Sequence, residues 1–99
     1  MTHVIPVGTS EPQEFRLEND GVPIDGTGFT VGIRILFGSD EIDTVTVDWL
    51  NEDAGTVAVL GVEALSVGVY QVRFSLTDGD NLVGYFPNSK APDVWRVVN

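Results

Sequence analysis

The side chains able to do chemistry in this 99-residue chain are few. His3 is the single histidine. A catalytic triad or a histidine metal cluster needs its imidazole buried and oriented by a partner, whereas His3 is expected in a frayed N-terminus and reads as inert. Cysteine is absent, which removes a thiolate nucleophile, a disulfide framework and a thiolate metal site. There is no Gly-x-Ser-x-Gly elbow and no phosphate-cradling glycine loop leading into a helix. The glycines sit where turns need them. A glycosidase would require two carboxylates facing a cleft, but the acids here fall in turns or on outward strand faces, and a domain this small has little room for a substrate groove. Calcium suits acidic loops better, because it takes its ligands from carboxylate and carbonyl oxygens. Asp78-Gly79-Asp80-Asn81 and Asp40-Glu41-x-Asp43 are the candidate loops. Neither reproduces the EF-hand pattern, and an Asp-Gly-Asp stretch reads equally as a hairpin turn. Calcium binding by Asp78 and Asp80 stays open. No catalytic, cofactor-binding or metal-binding residue is assigned, and the chain reads as a non-enzyme without a cofactor.

Composition narrows the partners. Fifteen acidic residues against five basic ones leave a net charge of −10. That balance opposes phosphate backbones and anionic membranes, both of which select clustered Lys and Arg. It also favours solubility and a monomer. No apolar run approaches the length of a membrane-spanning helix, and the N-terminus lacks the basic start and apolar run of a signal peptide. Those features predict a soluble chain from a complete small reading frame. A hydrophobic share of 42% is ordinary for one globular domain, whose core would bury roughly 60–65% of the unfolded chain's surface. Arg16, Arg34 and Arg73 each fall on an outward strand position, and Arg96 is unplaced. Their plain role is pairing with acidic neighbours across strands; the alternative is a polar docking face.

The elements that must position these groups are strands. Leu65 to Leu76 alternates strictly after Gly68, with Tyr70, Val72, Phe74 and Leu76 on one face and Gln71, Arg73 and Ser75 on the other. Period-two alternation is the mark of a half-buried strand. Phe29 to Phe37 repeats it, with Phe29, Val31, Ile33, Ile35 and Phe37 inward. Asp43 to Leu50 follows, with Val45, Val47 and Trp49 as its apolar set. Gln13 to Glu18, Thr56 to Val59, Leu82 to Phe86 and Asp93 to Val98 complete the series. Asn19-Asp20-Gly21, Gly26-Thr27-Gly28, Asn51 to Gly55, and Thr77 to Asn81 supply turns. Residues 60–67 form a crossing segment with room for one helical turn, and residues 88–92 a loop. Proline at position 6 confines Val4-Ile5-Pro6-Val7 to an edge strand or a non-strand arm. About seven strands at roughly 8–12-residue spacing predict one antiparallel sandwich or barrel. The expected organisation is an arm over residues 1–12 and an all-β sandwich over 13–99, with Trp49 or Phe37 as the central packing aromatic.

Tyr70, at a strand start with Gly68 two residues earlier, resembles the tyrosine corner of immunoglobulin-like sandwiches, in which the hydroxyl bonds back to upstream backbone. The cysteine those sandwiches carry two positions later is Val72 here. The order of motifs resembles a narrower family. Glu14-Phe15-x-Leu17-x-x-Asp20-Gly21-x-Pro23-Ile24-Asp25 leads to Phe29-Thr30-Val31-x-Ile33-x-Ile35. Thr46-Val47, Ala54-Gly55-Thr56-Val57 and Leu65-x-x-Gly68-x-Tyr70-x-Val72-x-Phe74 follow in turn. This series, over residues 13–78, is similar to the immunoglobulin-like domain at the N-terminus of phage baseplate upper proteins and related small phage structural proteins. Tyr85-Phe86-Pro87 and the Trp95 strand depart from it. The resemblance implies a single immunoglobulin-like antiparallel β-sandwich used for protein–protein contact in tail, baseplate or head. It implies other phage structural proteins as partners, a homo-oligomer as a further possibility, no nucleic acid and no membrane, and a place in the virion or in the host cytoplasm during assembly.

Two other classes predict different features. A calcium- or carbohydrate-binding sandwich predicts an exposed Trp49 or Trp95 beside clustered acids. An immunoglobulin-like module of a bacterial surface protein predicts similar domains beside it in the gene. The segments to follow are Val4 to Val7 and Tyr85-Phe86-Pro87, since exposed aromatic and apolar side chains there would mark an interface.

Overall fold

A computed structural model of the chain describes residues 2–19, 21–86 and 92–99. Its strands in chain order are β1 (Thr2–Pro6), β2 (Gln13–Arg16), β3 (Glu18–Asn19), β4 (Val22–Pro23), β5 (Thr30–Phe37) and β6 (Asp40–Ile42). They continue with β7 (Thr46–Asn51), β8 (Thr56–Leu60), β9 (Gly68–Asp78), β10 (Asn81–Phe86) and β11 (Asp93–Val98). The larger sheet has the order β1-β11-β9-β5-β6, with β10 also on β9; the smaller has the order β2-β8-β7. β3 and β4 make a separate two-stranded hairpin, whose turn residue Asp20 lies outside the described residues.

The larger sheet is built on β9, where the alternation of the sequence becomes alternation of burial at Tyr70, Val72, Phe74 and Leu76. One edge of β9 takes β5 in antiparallel register from Thr30↔Thr77 to Leu36↔Gln71. The other edge is divided. β10 lies beside Phe74 to Asp78, and β11 beside Gly68 to Val72. β10 and β11 therefore serve as two parts of one sandwich strand. The two sheets make an all-β sandwich, with β2-β8-β7 on one side and β5, β9 and β10/β11 at the centre of the other.

Four expectations change in detail. Among the described residues eleven strand segments replace about seven, because Thr2–Pro6 is itself a strand, β3 and β4 form their own small hairpin, and Asp40–Ile42 pairs back onto β5 instead of merely breaking the chain. The sheet is not wholly antiparallel: β1 runs parallel to β11 from Thr2↔Val94 to Pro6↔Val98. A parallel pair needs a long connection, and these two strands are joined through the whole domain. Residues 1–12 are not an arm apart from the sandwich, since β1 is its edge strand and Ile5 is fully buried. Pro6 is tolerated there because an outer edge has no ladder N–H to lose.

The fourth change is the central aromatic, which is Trp95 rather than Trp49 or Phe37. Trp95 is buried, and Phe15 from the smaller sheet lies flat against it with centroids 5.1 Å apart and planes 8° apart. Phe15 also touches Phe74 at 5.7 Å. Trp95 takes this place because β11 sits between β1 and β9, with His3 and Tyr70 as its register neighbours. Trp49 belongs to the margin: β7 is the outer strand of its sheet, the indole Nε1 donates to the Phe29 carbonyl at 2.9 Å, and the ring occupies the space where any Cβ at Gly26 would fall. Phe37 lies at the end of β5, partly exposed, leaning on Tyr70 at 5.0 Å.

The tyrosine corner is present, with the Tyr70 hydroxyl donating to the Ser66 carbonyl at 2.7 Å. The segment before it contains one 3-10 turn, Val62–Ala64, which buries Val62. Replacing Tyr70→Phe should lower stability in urea unfolding by about 1 kcal/mol, the usual net value of one hydrogen bond. Ile5→Ala should cost about 2–5 kcal/mol, as for a core residue; a loss indistinguishable from a surface substitution would mean that β1 does not support the core.

Candidate docking face

The two faces of the larger sheet differ sharply. The inner face holds Ile5, Trp95, Val97, Tyr70, Val72, Phe74, Leu76, Val31 and Ile35, all buried. The register then places Val4, Arg96 and Val69 in one outer row across β1, β11 and β9. Val94, Gln71, Leu36 and Glu41 form the next row, across β11, β9, β5 and β6. Arg73 and Arg34 stand directly opposite each other beyond it, followed by Tyr85, Ser75 and Gly32. Leu82 pairs with Thr77 at the far end.

This outer face is apolar to an unusual degree for one open to water. Val4 and Val69 are each 55% exposed, Leu82 51% and Tyr85 47%. Between the strands runs a shallow groove of about 550 Å³ that includes Arg34, Leu36, Gln71, Arg73, Leu82 and Tyr85. Gly32 leaves room for the Ser75 hydroxyl, against which a Cβ there would press. Three of the five Lys and Arg residues of the chain, Arg34, Arg73 and Arg96, stand on this face. Arg16 is on β2 of the other sheet, where it pairs with Glu18 at 3.3 Å.

The contacts of the arginines differ. Arg34 Nε lies 3.5 Å from Glu41 Oε1, the cross-strand pairing expected of it. Arg73 places its guanidinium 5.9 Å from the centroid of the Tyr85 ring, a cation–π contact. Arg96 is exposed and makes no ion pair among the described residues. Of the two segments singled out in the sequence, the first splits by strand parity, with Ile5 inward and Val4 outward. The second does the same: Tyr85 faces out, Phe86 packs on the core, and Pro87 lies outside the described residues.

The remaining candidates are accounted for by local structure. His3 is not frayed: it is half-buried, its Nε2 3.1 Å from Gln13 Oε1 and its ring edge-on to Phe15 at 4.8 Å. β1 carries it against the aromatic stack, with the side-chain amide of Gln13 as its polar partner. Asp78 and Asn81 are paired across the hairpin that joins β9 to β10, and Gly79 supplies its positive φ of 61°. Asp40 and Glu41 belong to β6, where Glu41 is turned toward Arg34. Among the described residues no three His, Asp or Glu side chains gather as a metal site. The Asp25 carboxyl is held below its ordinary pKa by hydrogen bonds from Thr27, of the side chain first and of the backbone second. This is the chemistry of a tight turn, with Thr27 N–H donating to Asp25 Oδ1 at 3.0 Å. A second cleft, of about 620 Å³, opens between the sheets beside Phe15, Phe74 and Phe86 and continues the core outward.

Comparison of the chain with protein-family models, curated proteins and solved structures finds no match in any of the three.

The placement of the acids in turns leads to one expectation about metal. Millimolar calcium should leave the melting temperature unchanged, because a ligand held by the folded state alone would raise it. A rise that Asp78→Asn and Asp80→Asn together abolish would establish the hairpin as a calcium site.

Proposed function

We propose that this chain is a non-enzymatic contact module, a phage structural or assembly protein that joins other phage structural proteins in tail, baseplate or head. The observation that carries the contact reading is the outer face of the larger sheet, where Val4, Val69, Leu82 and Tyr85 are exposed together around the arginines. Apolar side chains grouped on one open face, with aromatic and arginine residues among them, have the composition of a protein interface. The phage setting is supported by the ordered motif series over residues 13–78 and by the immunoglobulin-like strand arrangement that the series implies.

In this reading the sandwich acts as a rigid platform. The strand ladder fixes the backbone of the outer face, so a partner meets side chains that need little ordering, which lowers the entropic cost of binding. Partners are other proteins of the particle, with further copies of the chain as an added possibility, and the chain is found in the virion or in the host cytoplasm during assembly. The carbohydrate-binding alternative asks for an exposed tryptophan beside clustered acids, but Trp95 is buried and Trp49 is half-buried with its indole N–H bonded to Phe29.

Particles purified from cells infected with the phage that encodes the chain should contain it in fixed ratio to the other structural proteins, as read by quantitative mass spectrometry. Its absence from both particles and assembly intermediates would sink this reading.

A further inference from the structure

Outside the small β3–β4 hairpin, five strands are paired along one edge only among the described residues: β1, β2, β6, β7 and β10. An open edge is a template for another strand, and proteins blunt such edges with prolines, bulges and short length. β1 carries Pro6, β6 is three residues long, and the pairings of β7 and β10 each contain a register shift. β2 has neither proline nor register shift, and it pairs with β8 without interruption from Gln13↔Val59 to Arg16↔Thr56.

The ladder decides which groups face that open edge. Opposed residues of an antiparallel pair alternate between those that exchange two hydrogen bonds and those that exchange none. The Leu17 N–H donates to the Gly55 carbonyl at 2.8 Å, so Phe15↔Val57 and Gln13↔Val59 continue the bonded series. Glu14 and Arg16 therefore turn both N–H and C=O toward the open side. Phe15 lies between them and borders the cleft of about 620 Å³ between the sheets, with Phe74 and Phe86 across from it. Run antiparallel, Glu14-Phe15-Arg16 is complementary to itself. About a two-fold axis at Phe15, Glu14 of each copy stands opposite Arg16 of the other, and opposite charges so placed stabilise a strand pair. The backbone agrees with the charges. Phe15 meets the partner's Phe15 as a non-bonded pair, and both Glu14–Arg16 pairs fall where hydrogen bonds are exchanged.

We infer that two copies of this chain associate edge to edge through β2, antiparallel about Phe15, with Glu14 of each copy against Arg16 of the other. The inference goes beyond the proposed function, because it concerns the smaller sheet and holds whatever the outer face of the larger sheet binds. Glu14 is exposed and makes no ion pair among the described residues. Arg16 lies 3.3 Å from Glu18, but that pair is largely exposed, and such pairs are weak and exchangeable. The net charge of −10 opposes association at long range; physiological salt screens repulsion beyond about 8 Å, whereas the two edge pairs are in contact. Phe15 and Phe86 are only partly buried in one copy, and a second β2 covers the Phe15 side of the cleft.

The test is a charge exchange read by sedimentation equilibrium, with protein up to about 1 mM because a small interface fills only at high concentration. The mass of the unsubstituted chain should rise from monomer toward dimer across that range. Glu14→Arg and Arg16→Glu should each keep the chain monomeric, since each sets like charges opposite one another at both pairs. Mixed in equal amounts, the two variants should associate again, because both pairs are then of opposite sign. Glu14→Arg also lowers the net charge, so its loss of association cannot come from overall repulsion. Glu63→Arg makes the same charge change on the exposed part of the Val62–Ala64 turn and should leave the dimer intact. Hydrogen exchange gives a second reading: the Glu14 and Arg16 amides should become protected only at high concentration, the Phe15 amide at every concentration. Melting curves establish that each variant is folded. An unsubstituted chain that stays monomeric, single variants that associate as it does, or a mixture that fails to associate would overturn the inference. Those results leave the proposed function standing, and absence of the chain from particles would leave the β2 pairing standing.

Discussion

Phe15 lying flat on Trp95 is the contact through which the two sheets become one domain. It joins the first strand of the smaller sheet to the last strand of the larger, and Phe74 and His3 close around it. Immunoglobulin-like sandwiches often place an inter-sheet disulfide against a core tryptophan; here there is no cysteine at all, and the two aromatic rings lie where the sheets face each other. Stacked rings contribute mainly through the area they bury, with a smaller directional part. The stack therefore depends on its surroundings excluding water. That requirement explains why β1 matters: it places Ile5 and His3 beside Trp95 and closes what would otherwise be an open sheet edge.

A second constraint works outward from the same sheet. β9 is paired along both edges, with β5 on one side and β10 and β11 on the other. Once its inward residues are committed to the core, strand parity leaves Val69, Gln71, Arg73, Ser75 and Thr77 facing water, and their neighbours on five other strands fall into rows with them. The candidate docking face is thus the reverse side of the core. Its geometry is stiff because the interior holds it, and its chemistry is free to vary because the interior does not use it. The arginine and tyrosine found there are residue types in which interface cores are enriched.

The acidity of the molecule takes on a different meaning against this face. The sequence-level reading, that −10 argues for a soluble monomer with little taste for anions, describes the whole surface. Locally the larger sheet gathers Arg34, Arg73 and Arg96. At physiological ionic strength a partner within a few ångströms responds to the local charge more than to the total. Turns take up many of the acids, as Asp25 does in its contact with Thr27 and Asp78 at its hairpin, so charge and structure are segregated without any cluster able to hold a metal among the described residues.

Much of the fold could be read from residue patterns alone. The alternation from Tyr70 to Leu76, the Val31 to Ile35 strand and the Leu65 to Tyr70 corner are local properties, written in side-chain period and in a tyrosine with its upstream carbonyl, so no distant contact is needed to infer them. What lay beyond reach was pairing. Trp95 and Trp49 look alike as inward tryptophans on short strands, and which one is central depends on whether its strand lies within a sheet or at its margin. His3 and Ile5 read as a tail because nothing near them in the chain indicates that β11, some ninety residues later, will run parallel beside them. The candidate face divides in the same way. Period-two parity alone turned Arg34 and Arg73 outward, but their direct opposition and the row of Val4, Arg96 and Val69 are facts of register. Register is fixed by the core packing of all the strands together, and so it was decided by the tertiary structure.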